Sequence, residues 1–169
     1  MFKLAPIALS TLFLSTSALA ALALPLAGAA HAQASSVRLT PTEIAGLAKG
    51  GAGAGTSGVA GIKTTTLYGD PTQAGPYTIE IRVPPHTRIA AHSHKDTRTA
   101  VVVSGAWFFG YGRENLDSLV KELPPGSFYT EPAGVDHFAQ THDQPASVFI
   151  SGFGPTSTDY VDAAAAPKP

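Results

Sequence analysis

The histidines are the residues of this sequence whose type and spacing could support metal chemistry. His92 and His94 stand two residues apart, so in a strand both imidazoles would project from the same face, and His137 follows further along the chain. Neutral imidazole is a good ligand for Zn, Cu, Fe and Ni, and for Mn where carboxylates assist. Alone, such a pair is as compatible with an ordinary surface pair as with a site. The 169-residue chain contains no cysteine, which excludes thiolate ligands, cysteine nucleophiles and disulfides.

The segments around these histidines have the pattern of an all-β domain. Residues 77–83 alternate between polar and apolar side chains, as a half-buried strand does. Pro- and Gly-rich turns separate further short β-rich runs, which cover residues 100–103, 107–111, 127–131, 135–140 and 147–153. Many short strands with such corners predict a single sandwich or barrel over residues 62–162.

Two short helices are predicted outside this β pattern. Four apolar residues between the strands have helical spacing: Leu116, Leu119, Val120 and Leu123. The second helix is predicted to begin at Pro41, with Thr40 or Thr42 near its cap.

The first 34 residues are predicted to be a cleavable secretory signal. Lys3 supplies a positive charge, residues 4–26 form an apolar run without an acidic residue, and Ala32-Gln33-Ala34 offers the small residues that a signal peptidase requires. Prolines and hydroxyl side chains within the run argue against a stable membrane anchor. The mature protein is therefore expected to begin near Ser35 and to work in the periplasm or as a secreted protein.

The remaining segments give weaker signals. Residues 35–61 are predicted to be flexible, because Gly50 to Gly55 is a low-complexity stretch that reads as a linker or a mobile lid. Residues 163–169 are predicted to be a disordered tail. The formal net charge of −1 provides no basic footprint, so a nucleic-acid partner is not expected.

Two motifs resemble those of the cupin superfamily, a group of small β-barrels. The first cupin motif is a His-x-His pair, then a Glu, then a Gly, and here it corresponds to His92, His94, Arg98 in place of the Glu, and Gly105. The second motif ends in a His followed after three residues by an Asn, and four of its residues keep the required spacing: Gly126, Pro132, Gly134 and His137, with Thr141 in place of the Asn. The resemblance covers residues 77–153 and implies an all-β double-stranded β-helix, or jelly-roll barrel.

The resemblance also implies the metal ligands. His92, His94 and His137 would hold a divalent transition metal (Fe, Mn, Zn or Cu) inside the barrel. The alternative is a degenerate cupin whose histidines only fill the pocket. Arg98 sustains that alternative, because a guanidinium has no lone pair and cannot replace the usual Glu ligand.

Arg98 and Glu131 are the candidate catalytic residues, and each has more than one possible role. Arg98 either binds an anionic substrate group through paired hydrogen bonds or pairs with an internal acid. Glu131 is the obvious acid. It immediately precedes Pro132 of the second motif, and related barrels place the residue before this proline inward, near the metal. A buried carboxylate needs a metal, a cation or a raised pKa. Glu131 is therefore a candidate fourth ligand, a general base, or the partner of Arg98.

Two neighbouring features have less direct interpretations. Asp96 shares the strand parity of His94 but is expected in a loop, where a solvated acid is the better interpretation. Trp107, Phe109 and Tyr111 alternate along one predicted strand, so they either pack in the core or line the pocket.

These features predict a metal-dependent enzyme acting on a small molecule in the barrel. Cupins with three-histidine sites and no Glu ligand include iron dioxygenases, so oxygenation of a small anionic or aromatic compound is one version. Because ferrous iron is hard to maintain in the periplasm, the other version of the enzyme is a lyase or hydrolase that uses Mn, Zn or Cu. There are two alternatives to an enzyme: a binding module without turnover, and a structural barrel without metal. The resemblance also implies a possible homodimer, because cupins often form homodimers.

Overall fold

The computed structural model describes residues 36–51, 53 and 55–167. The predicted signal sequence and the last two residues of the predicted tail lie outside these ranges. One short helix, α1, spans Pro41–Gly46, and ten strands follow it: β1 Lys63–Tyr68, β2 Gly75–Val83, β3 Arg88–Ser93, β4 Arg98–Gly105, β5 Trp107–Tyr111, β6 Val120–Leu123, β7 Phe128–Glu131, β8 His137–Gln140, β9 Ala146–Gly154 and β10 Asp159–Tyr160. None of the helices in the described ranges has the length and hydropathy of a membrane span.

The strands form two antiparallel sheets of five strands each. The first sheet has the order β1-β2-β9-β4-β7 and the second has the order β10-β3-β8-β5-β6. The predicted all-β jelly-roll fold is therefore confirmed. The sheets do not close into a hydrogen-bonded barrel, because within the described residues no strand of one sheet pairs with a strand of the other.

The apolar core fills the space between the inner faces of the two sheets. The predicted alternation of β2 is present, with Tyr77, Ile79, Ile81 and Val83 buried. The core is completed by residues of the other strands, of which the largest are Trp107, Phe109, Tyr129, Val148 and Ile150. Because alternate residues face inward along every such strand, the polar residues that share the inner parity are carried into this interior.

Gly105 is required at the corner where β4 ends. Its φ of +77° is a left-handed conformation, and a Cβ there would lie 1.7 Å from the backbone oxygen of Pro145. No larger residue fits this approach of two chain segments, which explains the glycine of the first motif.

The two predicted helices have different outcomes. α1 is confirmed, with Thr40 and Glu43 forming a reciprocal capping box. The helix predicted across Leu116 and Leu123 is present only as a 3-10 turn over Asp117–Leu119, because the following residues form β6 and pair with β5. Tertiary pairing overrides the helical spacing there.

Candidate metal centre

Three buried histidines meet between the two sheets. His92 lies in β3 and His137 begins β8, and the antiparallel register places the two opposite each other. His94 follows β3 immediately, in the connection that leads to β4 in the other sheet. One ring nitrogen of each histidine lies within 4.8 Å of the other two. The structure thus brings together the three residues expected to bind metal.

Backbone carbonyls hold each imidazole in one orientation. Nδ1 of His92 and Nδ1 of His137 lie 2.7 and 3.0 Å from the carbonyl oxygen two residues earlier. Nδ1 of His94 lies 2.5 Å from the carbonyl oxygen of Ser157. Because a carbonyl oxygen only accepts hydrogen bonds, each Nδ1 carries a proton and each Nε2 keeps a lone pair. Metal-binding imidazoles are commonly oriented in this way.

Burial keeps the three rings neutral. Burial, with a contribution from His137, lowers the pKa of His92 to about 4. Burial and the charge of Arg98 lower the pKa of His94 to about 3, and burial also lowers the pKa of His137. At neutral pH the lone pairs of all three Nε2 atoms are therefore free of protons, as metal binding requires.

Arg98 and Glu131 form a buried ion pair beside the histidines. Arg98 begins β4 and Glu131 ends β7, and the strand register pairs them directly. Nε of Arg98 donates to Oε2 of Glu131 at 2.5 Å, and Nη2 contacts the same oxygen. Burial opposes ionisation of Glu131, but the Arg98 charge, the nearby histidines and the hydrogen bond from Arg98 together outweigh it and lower the pKa of Glu131 to about 2. The structure therefore contains the internal pairing that was one alternative for both residues.

Glu131 also faces the histidine cluster. Its Oε2 lies 3.6 Å from Nε2 of His94 and 3.8 Å from Nε2 of His137. This position suits a further oxygen donor to the same ion. Because its pKa is lowered to about 2, Glu131 is ionised at neutral pH, as a metal ligand or an anchor of Arg98 must be.

A hydrogen bond from Arg98 already uses the Nε2 lone pair of one histidine. Its Nη2 donates to Nε2 of His94 at 2.5 Å. In contrast, Nε2 of His137 is buried and has no hydrogen-bond partner within the described residues. A buried acceptor without a donor is unfavourable, and an ion at this point would satisfy it. The donor set therefore fits a metal, provided that Arg98 moves off His94.

A segment from the N-terminal part of the chain lies over the centre. Its three carbonyl oxygens are each held by a side chain: that of Gly55 by Arg98 Nη1 at 3.0 Å, that of Thr56 by Thr158 at 2.8 Å, and that of Ser57 by the Tyr160 hydroxyl at 2.5 Å. The cavity beneath this segment has a volume of about 30 Å³. Gly55, Thr56 and Ser57, at the end of the Gly-rich stretch, thus form a roof over the histidines.

Asp96 is buried, and the expectation of a solvated loop acid is wrong. Its Oδ2 accepts from the Tyr77 hydroxyl at 2.7 Å, and its Oδ1 accepts from the Thr156 hydroxyl at 2.6 Å. Thr156 precedes Ser157, whose carbonyl oxygen orients His94. Asp96 therefore supports a metal ligand indirectly.

The aromatic stripe of β5 divides between two environments. Trp107 and Phe109 are buried and line the cavity, and the Phe109 ring stacks on His137 with a centroid distance of 5.4 Å. Tyr111 is 46 % exposed and belongs to neither the core nor the pocket wall. Trp107 and Phe109 thus both pack in the core and line the pocket.

The other described histidines lie outside the cluster. His86 is exposed in a turn with a φ of +55°. His142 is exposed and stacks on Phe108 with a centroid distance of 3.9 Å. Neither contributes to the candidate site.

Comparison with known proteins identifies the fold. No family model and no curated protein matches the sequence. The solved structure of the polyketide cyclase RemF from Streptomyces resistomycificus is similar with a TM-score of 0.60 and 16 % identity, over 79 % of this chain and 90 % of that chain. An RmlC-like cupin from Shewanella frigidimarina is similar with a TM-score of 0.52 and 16 % identity, over 72 % and 93 %. The chain has the cupin fold.

A third similar structure is larger than this protein. The DMSP lyase DddQ from Ruegeria pomeroyi has a TM-score of 0.51 and 17 % identity, over 59 % of this chain and 51 % of that chain. The chain therefore spans about half the length of DddQ. At these identities the likeness shows the fold, and the chemistry must be inferred from the site itself.

Proposed function

We propose that this cupin is an exported, metal-dependent enzyme that acts on a small anionic molecule between its two sheets. The convergence of three neutral imidazoles, with ligand nitrogens within 4.8 Å of one another, carries the proposal. The buried, partnerless Nε2 of His137 supports it further. Fe, Mn, Zn and Cu all accept such a donor set, so the ligands alone do not select among these metals.

The expected substrate charge follows from the position of Arg98. Its guanidinium reaches Gly55 in the roof, Glu131 in β7 and His94 at the metal centre. An ion held by His94 would release Nη2 of Arg98, which would then be free to bind an anionic group beside the centre. A substrate larger than about one water molecule also requires the segment of Gly55, Thr56 and Ser57 to move, given a cavity of about 30 Å³ beneath it.

The chemistry is divided between the metal and the protein. A bound divalent metal would supply Lewis acidity to a substrate oxygen. Arg98 would orient the anion, Glu131 would remain ionised as a ligand or as the anchor of Arg98, and Trp107 and Phe109 would exclude water. None of these roles requires an external oxidant, so we favour lyase or hydrolase chemistry over oxygenation. RemF is named as a polyketide cyclase and DddQ as a DMSP lyase, which supports this choice.

Turnover under air and under nitrogen tests the reaction class. The metal-loaded protein would be assayed with a panel of small phenolic and keto acids. Product formation that persists under nitrogen is expected. Oxygen uptake coupled to product formation would instead support the dioxygenase version. No turnover under either gas would contradict an enzymatic role and favour a binding module.

The role of Arg98 is tested separately by kinetics. Arg98→Ala is expected to raise KM for acidic substrates while the metal content is retained. Equal kinetic constants for the variant and the parent would exclude substrate binding by Arg98.

A structural cupin without metal is the second candidate, because one observation favours it. The hydrogen bond from Arg98 to Nε2 of His94 satisfies that atom without an ion. Under this alternative, Arg98 would be a permanent internal substitute for the cation. Metal analysis of the purified protein distinguishes the two candidates.

Export is proposed from the first 34 residues alone. If it is correct, expression with the full leader yields a protein in the periplasm or the medium whose N-terminus lies near Ser35. Retention of an intact leader on a cytoplasmic protein would contradict it. This outcome would leave the metal centre unaffected.

A further inference from the structure

A second cavity lies outside the histidine cluster and is larger than the cavity at the metal centre. It is a groove of about 750 Å³ on the outer face of the first sheet, between α1 and strands β1, β2, β4 and β9. It shares no lining residue with the cavity at the metal centre. A function of this groove would therefore be independent of the function proposed for the histidines.

The strand register brings charged residues onto this outer face. Lys63, Arg82 and Ser147 are opposite one another across β1, β2 and β9. Two residues away on β2 and β9, Glu80 is opposite Phe149. Residues two apart in a strand share a face, so these side chains form one continuous surface in the groove.

Glu80 is buried in this surface and has an unsatisfied oxygen. The residue is 3 % exposed; its Oε1 accepts from the Ser147 hydroxyl at 2.6 Å and lies 3.0 Å from Nε of Arg82. Its Oε2 is buried without a hydrogen-bond partner within the described residues. Such an atom is unfavourable unless a donor reaches it. The side chain of Arg82 is 44 % exposed, so it can swing aside and admit a donor to Glu80.

The rest of the groove combines positive charge with apolar walls. Lys63 is exposed, and no ion-pair partner of Lys63 is found within the described part of the chain. Apolar contacts are available on both sides, from Ile44 of α1 and from Val103 and Phe149 of the sheet. The groove therefore offers a buried anion, two cations and an apolar surface on neighbouring strands.

We propose that this groove binds a free amino acid with an apolar side chain. Its ammonium group would donate to Oε2 of Glu80, and its carboxylate would contact Lys63 and Arg82. Its side chain would pack against Val103 and Phe149. The ammonium, the carboxylate and the apolar side chain match in turn the charge of Glu80, the charges of Lys63 and Arg82, and the apolar walls of the groove.

An NMR titration with three related probes tests the proposal. L-phenylalanine has all three groups, 3-phenylpropionate lacks the amine, and phenethylamine lacks the carboxylate. Saturable binding of L-phenylalanine is expected, with shifts at Ile44, Val103 and Phe149 and none at Trp107 in the metal cavity. Each truncated probe is expected to bind at least about tenfold more weakly, because it loses a charge-assisted contact.

Variants assign the two charged contacts. Glu80→Gln is expected to weaken L-phenylalanine and phenethylamine but not 3-phenylpropionate, and Lys63→Met should show the opposite selectivity. Lys121→Met, an exposed residue of β6 outside the groove, is the matched control. If Glu80→Gln does not fold, the exposed Lys63 position still decides the question. Absence of saturable binding, equal affinity for all three probes, or shifts confined to the metal cavity would each overturn the proposal.

Discussion

Nη2 of Arg98 donates a hydrogen bond to Nε2 of His94, at a distance of 2.5 Å, in the middle of the histidine cluster. The Nε2 lone pair can serve a donor or a metal ion, but not both. Metal binding by all three histidines therefore requires Arg98 to move away from His94. The ion pair with Glu131 can hold the guanidinium after its hydrogen bond to His94 is broken.

Replacement of Arg98 by an apolar residue is expected to favour the metal. Arg98→Met frees Nε2 of His94 and removes a nearby positive charge, so metal affinity should rise by about 10-fold or more. The metal-free variant should lose about 3–5 kcal/mol of stability, because Glu131 is left buried without its partner. Metal titration and urea unfolding measure the two effects. Arg113→Met, at an exposed pair with Asp136, is the control. Unchanged or weaker metal affinity would contradict the competition.

Removal of the Glu131 charge is expected to weaken metal retention. Oε2 of Glu131 lies within 3.8 Å of Nε2 of both His94 and His137, so Glu131→Gln should reduce metal affinity by about 10–100-fold. Competition with a chelator measures the change, and Glu122→Gln on the exposed part of β6 is the control. An unchanged affinity would restrict Glu131 to its pairing with Arg98.

Asp96→Asn is expected to act on the metal through His94. The amide cannot accept from both Tyr77 and Thr156 as the carboxylate does, so the segment carrying Ser157 is held less firmly. Because Ser157 orients the His94 ring, metal affinity should fall by about 10-fold. The His94 ring signals in NMR should broaden or shift, while those of His142 should not. Sharp, unmoved His94 signals would show that Asp96 has no such role.

The metal-free protein is expected to lose stability in mild acid. The folded-state pKa of His92, about 4, lies below the ordinary value of 6.5, so the unfolded chain binds more protons between these values. Stability is therefore fully present above pH 6.5 and falls as the pH is lowered from about 6.5 towards 4. At pH 5 the loss from His92 is on the order of 2 kcal/mol. Urea unfolding in the presence of a chelator measures it, and His92→Gln should reduce the dependence without abolishing it, because the pKa values of His94 and His137 are lowered as well. A flat profile in the parent protein would contradict the burial of a neutral ring.

The sequence predicted the features that depend on local pattern. Strand parity and turn residues placed β2, β4, β5 and β9, and the two motifs identified the three histidines that the structure brings together. β1 was not predicted, although its run of three threonines has β-branched character. Leu116, Leu119, Val120 and Leu123 have helical spacing and no strand alternation, so only the pairing of β6 with β5 reveals the strand.

Contacts between distant segments could not be predicted from the sequence. The burial of Asp96 depends on Thr156, sixty residues further along the chain. The roof over the centre depends on Gly55 meeting Arg98, forty-three residues away. Neither contact has a local signature, since each arises only when the two sheets are stacked and the loops between them are positioned.

Metal content of the purified protein tests the central claim most directly. Elemental analysis after isolation from the native compartment should find about one equivalent of a divalent transition metal. His92→Ala should remove it, and His86→Ala, at an exposed histidine outside the cluster, should not. Less than about a tenth of an equivalent, unaffected by His92→Ala and by added metal, would contradict a metal centre at His92, His94 and His137.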